Sequence, residues 1–368
     1  MTMSELPGDV VEEILCHVPA TSLKRLRCTC KTWNLLLDDA RFARKHFEKA
    51  ARQILILMLT EKLRVCSTNI NLHGVPSIGV KGEFSLISSH PSLRIADIDR
   101  VFHYDGLLLC TINDYTSLVV WNPCTGQTIQ TTVPYKIFSC NFALGSYKDK
   151  NSGYNSSYKI LCYHYGYNGR KGFSICDIKS NSWRTLDLTL DFEVIWMGHS
   201  VSLKGKTYCF AVDKRKGHYG VLLVSFDYTT EIFERICLPF YYSVSSFWIT
   251  ALSVVRDEKL SVLLQSPSKL RIEIWVTNKI DETNVVSSSM FLALDYSKSD
   301  IRSGVRFLVD EEKKFVVYWY RKGVVNGENM VHIIEEDNKV RKLDFEATTM
   351  STSSSPLLFT YVPSLVQI

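Results

Sequence analysis

The sequence predicts a small all-α head followed by an all-β domain, a β-propeller of about six blades. Three observations carry that reading. The first fifty residues or so keep apolar side chains at helical spacing. Beyond them come short runs rich in Val, Ile, Tyr, Phe and Trp, cut by Gly, Asn, Asp and Lys turns. These runs recur as a several-stranded repeat roughly every fifty to sixty positions, the signature of radially stacked sheets. A head of this size buries too little to fold firmly alone, so part of its apolar surface is expected to face something else.

The head resolves into short helices. Pro7 suits a first helical turn, and Val10, Val11, Ile14, Leu15 and Val18 follow along one face, with Glu12, Glu13 and His17 on the other. Pro19 stops this helix. Thr21 or Ser22 is placed to cap the next, in which Leu23, Leu26 and Cys30 recur three and four apart while Lys24, Arg25, Arg27 and Lys31 stay in water. Thr32 is placed to cap a third segment carrying Trp33, Leu36 and Leu37. The acidic pair Asp38 and Asp39 suits the start of a fourth, with Phe42, His46 and Phe47. Three or four short helices are expected, the head spanning residues 1–48.

Leu6-Pro7, Asp9, Ile14-Leu15, Val18-Pro19, Ser22-Leu23, Leu26-Arg27, Cys30-Lys31 and Trp33 stand in the order and spacing of the F-box pattern, which this stretch resembles. Val10 stands where that family usually has Leu, and His17 where Arg is common. The resemblance implies docking on an SKP-type adaptor and, through it, a link to the cullin and RING subunits of an SCF ubiquitin ligase. The adaptor-binding residues it implies are Leu6, Pro7, Ile14, Leu15, Val18, Pro19, Leu23, Leu26, Cys30 and Trp33. Some of Leu23, Leu26, Cys30 and Trp33 must also hold the helices together. The plainer reading of the same residues is a helical cap packed on the following domain, with no outside partner.

Composition bounds the remainder. The chain has 368 residues, 46% hydrophobic and 22% charged, enough for one large globular domain beside the head. The first residues are acidic and interrupted by Pro7 and Pro19, unlike a signal peptide, and the apolar stretch near Ile54 to Leu59 is too short to span a bilayer. Eleven cysteines without a C-x-x-C pair fit free thiols in a reducing compartment, so an intracellular location, cytosol or nucleus, is expected. A net charge of +5 is spread over loops such as Arg170-Lys171 and Lys214-Arg215-Lys216, without the organised stripe of a nucleic-acid binder. No nucleic-acid or membrane partner is expected.

The β domain is expected over residues 53–368. Gly106-LLLC, Tyr158-KILCY, Lys206-TYCFAV, Lys259-LSVLL and Lys314-FVVYWY occupy equivalent places. Each is followed by a second strand: Leu118-VVW, Gly172-FSIC, Val221-LLVSF, Leu270-RIEIW and Met330-VHII. Polar turns come next, among them Asn122-PCTGQ, Asp177-IKSNS, Asp227-YTTE and Glu335-EDNK, in which an Asp or Asn side chain can bond the backbone two residues on. Further strands such as Trp183-RTL and Phe233-ERICLP complete the repeat. Five repeats lie between about Ile98 and Phe345. Gln53 to Pro91 offers a sixth, and Leu357-LFTYVPSLV offers a strand that closes the ring and hides its open edge. These repeats, ending in Tyr361-Val-Pro-Ser-Leu, resemble the type 1, kelch-like F-box-associated domain of a large plant family; a pair of β-sandwiches is the alternative for the same strands.

The residues nominate no catalytic group, metal site or cofactor. There is no G-x-x-x-x-G-K-[ST] loop, no H-E-x-x-H helix and no G-x-S-x-G elbow. Gly166 to Gly172 reads as a hairpin loop, Cys28 with Cys30 and Cys162 with His164 as ordinary thiols and a satisfied histidine, and Asp310-Glu311-Glu312 as a solvated turn. Aromatic clusters at Tyr163, Tyr165 and Tyr167, and at Tyr318, Trp319 and Tyr320, read mainly as core. Tyr241, Tyr242 and Phe247, in a loop-like setting beside Trp248, are the candidates for binding a target. The expected function is a non-catalytic substrate receptor of an SCF-type ligase whose target protein the sequence does not name. An F-box scaffold outside ubiquitin transfer, or a propeller enzyme, are the rivals; cullin in the complex and metal analysis discriminate them.

Overall fold

Four helices come first: α1 (Gly8–Cys16), α2 (Ala20–Leu26), α3 (Lys31–Asp38) and α4 (Ala40–Lys49). Among the described residues all remaining regular structure is strand. The computed structural model describes residues 6–27, 29–49, 55–59, 65–71, 77–84, 98–112, 116–134, 140–148, 156–165, 171–195, 200–214, 221–236, 249–256, 258–266, 270–278, 280, 287–295, 303–322, 328–345 and 358–368. Two helix starts differ from expectation. Pro19, not Thr21 or Ser22, precedes α2, its fixed φ of −55° aiming its carbonyl at the N–H groups of Ser22 and Leu23. Extended Cys30, not Thr32, precedes α3, its carbonyl accepting from Asn34. Asp39 does serve the start of α4, accepting from the Arg41 N–H at 2.7 Å.

The strands form antiparallel units. β1 (Leu55–Leu59), β2 (Val65–Asn71) and β3 (Ser77–Phe84) open the all-β part. One four-stranded sheet holds β4 (Ile98–Tyr104), β5 (Leu107–Ile112), β6 (Ser117–Trp121) and β7 (Thr128–Thr132). The next holds β8 (Cys140–Lys148), β9 (Ser156–Tyr165), β10 (Lys171–Asp177) and β11 (Ser182–Leu186). In the third, β12 (Phe192–Val194) and β13 (Val201–Leu203) both pair with β14 (Lys206–Asp213), followed by β15 (Val221–Asp227) and β16 (Phe233–Ile236). The fourth holds β17 (Ile249–Val255), β18 (Lys259–Ser266), β19 (Arg271–Thr277) and β20 (Ser288–Asp295). β21 (Ser303–Asp310), β22 (Phe315–Lys322), β23 (Glu328–Glu335) and β24 (Val340–Phe345) then run to β25 (Leu358–Tyr361).

The result is a β-propeller of five sheets against the expected six or so blades. The difference lies in the one eight-stranded sheet, where β21–β24 and the group β3-β2-β1-β25 are joined edge to edge. The joint is a parallel contact of Asp344 with Ser77 and Phe345 with Ile78. As expected, the last strand closes the ring: β25 pairs antiparallel with β1, Tyr361 opposite Leu55.

The repeats seen in the sequence are the buried middles of the sheets. Every residue of β5 and β6 is buried, and Leu107, Leu109, Leu118 and Val120 pack against Leu144, Ile160, Cys162 and Cys176 of the neighbouring sheet. The first turn of a sheet needs left-handed backbone, supplied by Asp105-Gly106 (φ 54° and 75°) and Lys204-Gly205 (φ 50° and 74°), the hand that matches strand twist. In the later turns the acidic or amide side chain binds its own backbone. Asn122 Oδ1 accepts from Cys124 N, Asp177 Oδ1 from Ser180 N and Asp227 Oδ1 from Thr229 N. Both kinds of turn lie at one end of the ring, where the Tyr228 N–H donates to the Gly205 carbonyl and the Tyr104 hydroxyl accepts from the Gly205 N–H. Cys16, Cys30, Cys110, Cys124, Cys140, Cys162, Cys176 and Cys209 are free thiols, buried except for Cys30. Among the described residues no helix is long and apolar enough to cross a membrane.

Candidate functional site

Helix α1 carries apolar residues on two adjacent faces, and the structure sends them in opposite directions. Val11, Leu15 and Cys16 point inward, Leu15 only 1% exposed, where they meet Ala20, Leu23, Leu37, Phe42 and Ala43. Val10 and Ile14, one residue back in each turn, remain 43% and 40% exposed. Pro7 sets the helix start, its carbonyl accepting from Val10 and Val11, and is itself exposed. In the run Leu35-Leu36-Leu37 a helix packed on one side cannot bury all three. Leu37 is buried, Leu36 half-buried and Leu35 72% exposed.

Charge pins α1 to α4. Lys45 reaches Glu12 at 2.7 Å and Glu13 at 3.1 Å, and Lys49 reaches Glu13 at 2.6 Å. Lys49 and then Lys45 hold the Glu13 carboxyl down at about 2. Beneath them His46 Nε2 donates to the Val18 carbonyl at 2.7 Å, and burial holds this imidazole below its ordinary pKa. Arg27 bridges to Asp38, tying the end of α2 to the end of α3.

The residues expected to meet an adaptor therefore divide. Leu15 and Leu23 are interior; Leu6, Val18, Leu26 and Trp33 are half-buried against the same cluster; Pro19 is half-buried; Pro7, Ile14 and Cys30 are exposed. Val10 and Leu35 complete the exposed apolar set, and the sequence carried signals for both: Val10 lies in the apolar stripe, Leu35 in an unburiable triple leucine. The head also packs on the ring, because Cys124, in the β6–β7 turn, and Leu365, beyond β25, belong to its apolar cluster. Burial pushes the Cys124 thiol up to about 11.

On the ring, Tyr163, Tyr318, Trp319 and Tyr320 are core. Tyr165 is 40% exposed with the Lys171 ammonium 5.3 Å from its ring centre. Tyr241, Tyr242, Phe247 and Tyr167 lie outside the described residues. The head occupies the end of the ring that carries the Asp105-Gly106 and Asn122–Gln127 turns. The opposite end is where Tyr165 pairs with Lys171, Ser266 with Arg271 and Lys322 with Glu328. Among the described residues no group of three His, Cys, Asp or Glu side chains is placed to hold a metal ion.

Two family models account for the chain: the F-box domain matches residues 3–45 and the F-box associated beta propeller domain residues 55–368. The chain belongs to the F-box proteins with an F-box-associated β-propeller. A probable F-box protein of Arabidopsis thaliana is 50% identical over 375 residues, covering 100% of this chain and 88% of that one. An F-box/kelch-repeat protein of Arabidopsis thaliana is 46% identical over 382 residues, covering 100% and 97%. The helical head is thus the F-box, a domain that generally binds SKP1-type adaptors within SCF complexes, and the sheets form its associated propeller.

Proposed function

We propose that the chain is the substrate-recognition subunit of an SCF-type cullin-RING ubiquitin ligase. Residues 1–48 dock on the SKP-type adaptor, and residues 53–368 hold the protein to be ubiquitinated. The observation that supports this best is the exposed apolar set on a unit whose interior is already filled: Val10 and Ile14 on α1 and Leu35 on α3 have no partner in the F-box core. Pro7, Val10, Ile14, Leu35 and Cys30 make direct contact with the adaptor in this reading. Leu6, Leu15, Val18, Pro19, Leu23, Leu26 and Trp33 support that surface from within or at its margin.

The target is held by the ring, through Tyr165 and Lys171 at the end away from the F-box and through Tyr241, Tyr242 and Phe247. The chain contributes proximity and no bond-making group. Holding the target beside a ubiquitin-charged enzyme raises the effective concentration of its lysines, worth millimolar or more for a short tether.

The test is co-expression with an SKP-type adaptor and size-exclusion chromatography, comparing wild type with Val10→Glu, Ile14→Glu. Both sites are exposed, so stability should stay within about 0.5 kcal/mol per site while the desolvated contact is lost. Co-elution of wild type with adaptor and cullin, and its loss in the double variant, is the expected result. A wild type that ignores the adaptor overturns the proposal, and adaptor binding without cullin reduces it to a scaffold.

A further inference from the structure

We propose that residues 362–368 form a strap that fixes the angle at which the F-box is carried on the ring. Beyond β25 this segment runs between the two units with its residues alternating in allegiance. Toward the ring, Val366 and Ile368 pack on the apolar cluster shared by the β4–β7 and β8–β11 sheets. The Asn122 side-chain amide donates to the Ser364 carbonyl at 3.1 Å and to the Val366 carbonyl at 2.7 Å. The Ile368 N–H reaches Gln127 Oε1 at 3.4 Å. Toward the F-box, Leu365 enters the helical core, 2% exposed, and Gln367 Nε2 donates to the Asp38 carbonyl at the end of α3 at 2.8 Å. Odd and even residues thus serve different units, as an extended chain allows.

The ring is shaped to receive this segment. Gly106 sits at φ 75°, and a Cβ there would collide with Ser364 Cβ and lie 2.8 Å from the Val362 carbonyl oxygen. Asn122 is wholly buried, and all its side-chain hydrogen bonds are used: Oδ1 shapes the turn that carries Cys124, and the amide holds the strap. One asparagine thereby couples the turn that touches the F-box to the segment that clamps it. Beside the small Cys124 side chain and the charge of Arg44 near Asp105, the strap adds an apolar anchor within the helical core and a hydrogen bond at the end of α3.

A fixed angle matters for a tether, since its effective concentration depends on geometry being held and not merely on the two ends being joined. The proposal stands on contacts within this chain, so it is read without the adaptor and separately from the ligase reading. The experiment is amide hydrogen exchange and small-angle X-ray scattering on the full chain, wild type against Leu365→Ala, Gln367→Ala. Exchange in α3 and α4 should rise about tenfold or more, with the β4–β7 sheet unchanged and the scattering envelope broadened. Gln367→Ala alone, which leaves the apolar core intact, should shift both readouts the same way by a smaller factor. Unchanged exchange and scattering in the double variant, or equal loosening of β4–β7, overturns the proposal.

Discussion

A buried histidine should make the F-box acid-sensitive. His46 is 1% exposed, gives Nε2–H to the Val18 carbonyl, and has no hydrogen-bond partner for Nδ1 among the described residues. Protonation would bury an unpaired N–H and a charge, so the folded pKa lies below the ordinary value. The unfolded chain then takes the proton first, and stability is held above about pH 6.5 and falls as the pH drops below it. Glu13, held at about 2, does not titrate in this interval. Protection factors in α4, corrected for the intrinsic pH dependence of amide exchange, should fall from pH 7.5 to 5.5, and His46→Gln, which keeps a donor for Val18, should flatten that dependence. A second residue prediction concerns Gly145, where a Cβ would collide with the Tyr228 ring across the sheet interface. Gly145→Ala should cost about 1–3 kcal/mol in urea unfolding. Neither effect was legible in the sequence, because both depend on what faces the residue. The split of α1 was half legible: the stripe from Val10 to Val18 was plain, but two faces one residue apart look alike until Phe42 and Leu37 claim one of them.

At the scale of elements, the turns at the F-box end connect neighbouring sheets. Lys159 of β9 sits 2.7 Å from Glu231 and 3.2 Å from the Tyr228 carbonyl, over the Tyr147 ring, with Lys159 12% and Glu231 17% exposed. Lys259 of β18 likewise reaches Glu311 in the β21–β22 turn at 2.8 Å. Lys159→Met leaves Glu231 with its more exposed partner Arg184 and should still destabilise by about 1–2 kcal/mol. Glu336→Gln, breaking the solvent-exposed pair with Lys314, should change stability by less than about 0.5 kcal/mol. Equal costs in denaturant titrations of the two variants would contradict this account. The strands themselves were legible, since β5, β9, β14, β18 and β22 begin within two residues of the runs that the repeat marks. The starts of α2 and α3 were not: side-chain caps were available at Thr21, Ser22 and Thr32, and the backbone of Pro19 and Cys30 did the work instead.

At the scale of the molecule, the ring is completed by strands from both ends of its sequence, β1 and β25. A chain ending at residue 357 leaves β1 with an open edge and removes Leu365 from the F-box, and should lower Tm by roughly 10 °C or more. An unaltered Tm would show that β25 does not close the ring. The closing strand was readable because it is apolar and follows the last repeat. The sheet count was not, because the joint between β24 and β3 is too short to leave a pattern. Nor was the debt of the F-box to Leu365, since periodicity reports neighbours along an element and not a contact across the length of the chain.

That last contact sets an order of events during synthesis. The helices of the F-box are translated before the ring, yet Leu365, one of their interior residues, comes about 300 residues later. At 5–20 residues per second the helices wait about 20–70 s for it. Until then they are a partial core, and a message cut short upstream yields a head that never acquires its missing side chain. Complete packing of the helices is thereby tied to synthesis of the ring that carries them.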